Sequence, residues 1–485
     1  MSSPDAAITG LVLDREQSTP LHAQLSAQIR EMILAARLKP GMKLPASRIL
    51  AQELGVSRIT VTTSMDQLVA EGYLEGVPGL GLFVVPHIPD DILKAPARGE
   101  PFEIKSLADK SELAFPFQPS SHDSRLFPHK EWARLLEQNW RLASAQNKSF
   151  SSAGYGPLRE AVARHLHEWR GLEVQPDQVF MTAGGVDAIQ LIIRALDLSG
   201  RPVVLEDPGY PLFTSELSHH GCHVVHSRVD ELGLDPVNLS PASMVLVTPS
   251  RHFPTGVTMP LSRRLDLLAW ANHHASIIVE DDFDSEYRYR GSPLPTLMGQ
   301  DNWQRVIYMG SFSKVFSPLV RLGYIVVPQS HISRFEHLLH ERGAIAAATT
   351  QPALAAFMRS GRFATHIRRM RRIYAQRQEA LLSSMQKHLS GLLIVQRETG
   401  GMHLLARLAP DLASRMSDVE VSVLAHECGI SLPELSHYSK NDGCQQGLLM
   451  GYSGFDENEL EAACIKLAEL LKDASISSVP SGFAG

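Results

Sequence analysis

The sequence predicts two folded units of different class: a small, mostly helical head, then a large α/β body with a mainly parallel sheet. Three observations carry this. The chain of 485 residues is too long for one core, since domains run to ~100–200 residues. Its first 85 residues show three helical patterns and a short hairpin. From residue 114 onward, short β-branched runs alternate with helical patterns, as a parallel sheet covered by helices requires.

In the head, LHAQLSAQIREMILA sets Leu21, Leu25, Ile29 and Ile33 four apart, the spacing of one helix face. Pro40, Gly41 and Pro45 break that pattern. ASRILAQELG and VSRITVTTSMDQLVAEG then read as two helices hinged at Gly55, with Ser57 placed to cap the second. Val61, Met65, Leu68 and Val69 are expected on its core face, and EGYLEGVPGLGLFVV reads as two strands around a Pro78–Gly79 turn.

Prolines and charges replace periodic apolar residues over 86–113, which reads as a linker. The body spans 114–473, and the small polar tail 474–485 is expected to be disordered. No stretch has the ~18 apolar residues of a membrane span, and the amino terminus lacks a secretory pattern, so the cytoplasm is the expected compartment. Cys222, Cys428, Cys444 and Cys464 are scattered without CxxC spacing, which points to free thiols and to no metal site.

The chemistry concentrates at polar clusters ending the body's predicted strands, where ligands gather in such sheets. GSFSKVF places Lys314 after an apolar run, suited to hold an aldehyde cofactor as an imine once its amine is neutral. TAGGVDAI places Thr182, Gly184 and Gly185 between a strand and a helix start near Val186, where unpaired N–H groups can receive a phosphate. Ser311, Ser313 and Arg321 can add hydroxyls and a two-pronged cation. Asp281, in VEDDFDSEY, can keep a pyridine nitrogen protonated, and Tyr210, in EDPGY, can cover the ring. These are the requirements of pyridoxal 5'-phosphate.

TAGG, EDPGY, TPSRHFPTG, EDDFD, SFSK and RLGY, in that order, resemble the fold-type I aminotransferases over most of the body. PLHAQL, LKPGMKLPASRILAQELGVSRITV, EGYL and GLGLFV resemble the GntR-type winged helix along the whole head. Together they resemble the MocR/GabR-type transcriptional regulators. That resemblance implies a head binding double-stranded operator DNA and a body sensing a small amine or amino-acid-like effector through external aldimine formation. It also implies a head-to-tail, domain-swapped homodimer. Arg48, Ser57, Arg58, Thr60 and Thr62 occupy the DNA-facing positions, with Gly79 in the wing. Arg58 can read guanine or pair with phosphate.

The sequence also departs from the resemblance. Seven Lys plus Arg face eight Asp plus Glu over residues 1–85, and Val77 and Leu82 replace the wing's usual basic residue and threonine. Leu449 stands where aminotransferases carry the arginine that grips an α-carboxylate. Phe283 replaces the tyrosine and Phe253 the asparagine that face the ring's phenolic oxygen, leaving His252 as the candidate donor. NKSFSSAG lacks the tyrosine offered across the dimer interface. A lost clamp with retained anchors favours a sensor over an active aminotransferase with an accessory head, and over a body that serves only for dimerisation. The arginine-rich run 359–377 is expected to be a structural helix with internal ion pairs.

Overall fold

The computed structural model describes residues 10–87, 115–141, 150–292, 294–440 and 446–477. The chain divides between Lys110 and Ser111 into two compact units. Most of the expected linker, part of NKSFSSAG, Cys444 and most of the tail lie outside the described residues. Residues 474–477, expected in the disordered tail, instead continue the last helix, Glu457–Ser477. A helix once started adds residues cheaply, so it runs a turn past the point where small polar residues set in.

In the head, α1 (Leu21–Leu34), α2 (Ser47–Glu53) and α3 (Arg58–Ala70) precede an antiparallel pair, β1 (Leu74–Val77) and β2 (Gly81–Val84). Leu25, Ile29, Ile33, Leu50, Val61, Met65 and Leu68 close one core. Val69 does not join them: it is 38% exposed, because Leu68 and Met65 already fill the side of α3 that meets α1. Gly55 adopts the left-handed conformation that the turn between α2 and α3 needs. The Ser57 side chain caps α3 by accepting the Thr60 N–H at 3.1 Å. Ser57→Ala is therefore expected to cost about 1 kcal/mol of head stability, measurable as an earlier first transition in urea unfolding of the full chain.

The body is built on an eight-stranded sheet of order β5-β12-β11-β10-β9-β6-β7-β8. Its strands are β5 (Val179–Thr182), β6 (Pro202–Asp207), β7 (His223–Asp230), β8 (Gly233–Leu234), β9 (Met244–Val247), β10 (Ile277–Asp282), β11 (Val306–Ser311) and β12 (Gly323–Val326), while the short pair β3 (Phe150–Ser151) and β4 (Gly154–Tyr155) lies outside it. The five strands from β11 to β7 run parallel, whereas β12 and β8 pair antiparallel with their neighbours. Buried apolar residues, mostly valine, isoleucine and leucine, line β6, β9, β10 and β11, as burial on both faces demands, whereas β7 (HVVHSRVD) keeps one face exposed.

A second sheet, β13 (Leu393–Val395), β14 (His403–Leu408) and β15 (Leu448–Gly451), is antiparallel. The arginine-rich run is not one helix: Arg359 ends the helix Gln351–Arg359, and after Ser360 and the left-handed Gly361 the rest lies in the long helix Arg362–His388. There Arg377 bonds Asp123 at 2.7 Å and the Ser453 carbonyl, Arg362 pairs with Glu131, and Arg371 donates to the Glu286 carbonyl while lying over the Trp169 ring. Among the described residues no helix is long and apolar enough to cross a membrane, and no cluster could hold a metal ion.

Candidate functional site

A cavity of about 740 Å³ opens at the carboxyl ends of the parallel strands, bounded by β6, β9, β10, β11 and the helix Gly185–Leu196. Gly184, Gly185, Tyr210, Asp281, Ser311, Ser313, Lys314 and Arg321 all line it. Asp281 and Ser311 meet there because parallel strands place their carboxyl ends on one edge, while Gly184 and Arg321 join them because β5 and β12 pair antiparallel, with Thr182 opposite Gly323.

Strand alternation decides which acid of the EDD triplet faces the cavity. Glu280 points the other way, accepting the Leu297 and Met298 N–H groups at 3.0 Å each. Asp282 likewise turns away, to Arg170 at 3.1 Å and the Tyr308 hydroxyl at 2.5 Å. Asp281 between them faces the cavity with no ion pair among the described residues. Burial, reinforced by the charges of Asp282, Asp284 and Glu206, pushes its carboxyl up to about 8. Across the same space, burial lowers the Lys314 amine below its ordinary range, only partly offset by Asp284 and Asp281. Both groups lack a close ionic partner among the described residues, so each can accept one from a ligand.

The anion end is formed by backbone. Gly184 has φ +119 and ψ −173, open only to glycine, and this places it as the cap of the helix Gly185–Leu196. The first N–H groups of a helix have no intrahelical acceptor and carry its positive pole. Gly310 is small for another reason: a Cβ there would lie 2.3 Å from the Tyr324 ring, so the strand entering the lysine turn can pass only as glycine. Arg321 adopts φ +50, uncommon for a residue with a side chain, while lining the cavity.

Two expected ligands are placed elsewhere. Thr182 is fully buried at the end of β5 and is absent from the cavity wall; its Oγ1 lies where a Cβ on Gly323 would meet it at 3.0 Å. The tight β5–β12 contact leaves it no path to the cavity. His252 is also buried and outside the lining: its Nδ1 meets Thr255 Oγ1 at 2.6 Å and its Nε2 lies 3.6 Å from Glu206. Burial drives its pKa down to about 3, so the ring is neutral. Phe253 holds the wall position beside it, edge-on to Tyr210, Phe283 and Tyr438.

Sequence reasoning missed Tyr438, Lys440 and His226, which also line the cavity. None sits in a recognisable motif, and Tyr438 and Lys440 arrive from a loop far along the chain. Leu449 is fully buried in β15, paired in register with Leu405, and does not reach the lining. Among the described lining residues the lysine and arginine side chains are Lys314, Arg321 and Lys440.

In the head, Arg48, Ser57 and Arg58 are exposed, Thr60 and Thr62 are half-buried, and Gly79 sits at φ +76 in the exposed β1–β2 turn. The hydroxyls are largely engaged within the helix. Ser57 Oγ and Thr60 Oγ1 lie 2.8 Å apart, and Thr62 Oγ1 donates to the carbonyls of Arg58 and Ile59 at 3.0 Å.

Fold and cavity define a helix-turn-helix protein carrying an aminotransferase-type body. Residues 120–467 match the family model for aminotransferase class I and II, and residues 21–84 that for bacterial regulatory proteins of the gntR family. The chain is 36% identical over 461 residues to the probable rhizopine catabolism regulatory protein MocR of Rhizobium meliloti, with 92% of each chain covered. It is 33% identical over 466 residues to the pyridoxine biosynthesis transcriptional regulator PdxR of Corynebacterium glutamicum, covering 95% of this chain and 98% of that one. The chain belongs to the MocR-type family of DNA-binding transcriptional regulators. Among solved structures, LysN, an α-aminoadipate aminotransferase from Thermus thermophilus complexed with N-(5'-phosphopyridoxyl)-L-leucine, shares the fold at a TM-score of 0.67 and 24% identity, over 75% of this chain and 93% of that one.

Proposed function

We propose that the body binds pyridoxal 5'-phosphate at Lys314 and senses an amine-bearing effector, and that a homodimer transmits the outcome to paired heads on operator DNA. The observation carrying this reading is the pair Lys314 and Asp281, both facing one cavity and neither neutralised by a close partner among the described residues. When bound, the cofactor supplies an aldehyde carbon with which a neutral amine condenses. Burial holds the Lys314 amine closer to its neutral form, and Asp281 is placed to share a proton with the ring nitrogen. Gly184, Gly185, Ser311, Ser313 and Arg321 would receive the phosphate, and Tyr210 would cover the ring.

The arginine clamp is replaced by buried Leu449, so an α-carboxylate has no guanidinium there to hold it. This supports sensing over fast transamination. A similar regulator is named for rhizopine catabolism and another for pyridoxine biosynthesis; the effector of this chain is accordingly sought among small amines and pyridoxal vitamers. For the effector to shift DNA binding it must favour one of two arrangements of the dimer.

The test is a titration of cofactor-loaded protein with candidate amines, following cofactor absorbance and operator binding in the same samples. Effectors that change DNA binding should also change the absorbance. Effectors active on DNA that leave the absorbance untouched would refute the reading.

Asp281 adds a prediction for the cofactor-free protein. Its folded pKa, about 8, stands above the ordinary 3.8, so the folded state binds the extra proton and this contribution to stability is lost as pH rises through 8. The loss runs between those two values, so melting temperature should fall as pH rises from about 5 to about 8 and level off above, and Asp281→Asn should flatten that slope.

A further inference from the structure

The recognition helix α3 presents an apolar residue where polar ones were expected to do the reading. Val61, Ser64, Met65 and Leu68 turn one side of α3 into the head core. The opposite side, at helical spacing, carries Ile59, Thr63 and Asp66. Ile59 is 76% exposed, in the first turn of the helix, between Arg58 and Thr60. A single exposed isoleucine on a protein surface needs no explanation. This one stands opposite the buried stripe, on the surface that a helix-turn-helix lays in the major groove.

Its neighbours sharpen the point. Ser57 and Thr60 hold each other and the cap, and Thr62 bonds back to its own helix. Three of the five expected polar contacts therefore have their hydroxyls engaged before DNA arrives. The other two are the exposed Arg48 and Arg58, and a guanidinium that reads guanine or phosphate cannot mark thymine. The thymine 5-methyl is the one apolar group on the major-groove edge of an A·T pair, and an isoleucine side chain is its chemical complement.

We infer that Ile59 is a specificity-determining residue: it packs on the 5-methyl of a thymine in each operator half-site and selects that base. The inference rests on the DNA-binding head and not on the cofactor reading of the body, so either can fail alone. No charge is involved, so the contact adds discrimination without steepening salt dependence.

The test uses the full-length protein. Sites are selected from randomised duplex DNA, and each thymine of the selected half-site is then replaced in turn by deoxyuridine, which removes only the methyl. Wild-type protein should lose about fourfold in affinity at one thymine per half-site, the worth of one buried methyl group. Ile59→Ala, exposed and helix-favouring, should bind thymine and uracil there equally, keep its affinity for unrelated DNA, and no longer enrich that thymine when selection is repeated. The inference is overturned if wild type is insensitive to methyl removal at every thymine, or if Ile59→Ala keeps the same sensitivity. Ile59→Val, which preserves a branched apolar side chain, should retain part of the discrimination; its complete loss would also count against the contact.

Discussion

Lys314→Ala is expected to give a colourless protein that releases pyridoxal phosphate on dialysis and no longer answers to any amine, while its heads still bind DNA. The expectation follows from the position of the amine. Lys314 lies in the cavity wall, close to the turn that ends β11, and the described lining offers no second lysine at that turn. Alanine would leave the proposed phosphate and ring contacts in place but remove the amine proposed to hold the aldehyde as an imine. Ligand linkage supplies the magnitude: at about a hundredfold excess over its Kd, a cofactor stabilises the folded state by about 2.7 kcal/mol. Wild type should show that gain in thermal unfolding, and Lys314→Ala most of its loss. The cofactor-free variant should be no less stable than cofactor-free wild type, because the half-buried amine has no ion-pair partner among the described residues to forfeit. A variant that still binds cofactor as tightly, or still responds to amines, would contradict the assignment.

Arg251→Met is expected to cost the body about 3–5 kcal/mol, the range for removing one partner from a buried ion pair. Arg251 is buried and reaches Glu398 at 2.6 Å, Asp284 at 3.3 Å and the His403 carbonyl at 2.7 Å. It thereby joins the segment after β9, the end of β10 and the small antiparallel sheet. Methionine fills similar space but leaves two carboxylates without a cation. Burial already raises Asp284 to about 7 and raises Glu398 as well, even with Arg251 present. Without it both should rise further and bind protons at neutral pH. The deficit should therefore be larger at about pH 8.5 than at about pH 6.5, since only above about 7 does wild type keep Asp284 charged beside Arg251 while the variant holds it protonated. Urea unfolding at the two pH values measures this, and the triple variant Arg251→Met, Asp284→Asn, Glu398→Gln should recover most of the loss. A deficit that is small, or unchanged with pH, would show that the cluster is not electrostatically coupled.

Arg251 and His252 illustrate how far a linear motif reaches. In TPSRHFPTG, histidine is the chemically attractive residue and arginine passes unremarked. The structure turns His252 inward to Thr255 and Glu206, gives the wall position to Phe253, and makes Arg251 a pillar between sheets. The same holds for Thr182, correctly adjacent to the glycine turn but packed under β12. In the head, helix boundaries and the Ser57 cap are readable, because they depend on neighbours three or four residues away. The engagement of the Ser57, Thr60 and Thr62 hydroxyls, and the exposure of Ile59, escape a reading by residue type, although the helical spacing contains them.

What the sequence determined by itself was local and compositional: two units of different class, the order of strand-end motifs, the lysine after an apolar strand, and leucine in place of the carboxylate-gripping arginine. Period-two and period-3.6 patterns and turn residues carry that information within a few positions of the chain. Tertiary structure alone decided which polar side chains meet. Asp281 shares a cavity with Lys314 because parallel strands bring their carboxyl ends to one edge, and Tyr438 and Lys440 come to the same wall from a distant segment tied to the end of β6, where the Gly209 N–H donates to the Tyr438 carbonyl and the Lys440 N–H to Asp207. Partners so far apart in the chain leave no periodic trace in either segment, and the burial that sets their charge exists only once the sheet has closed around them.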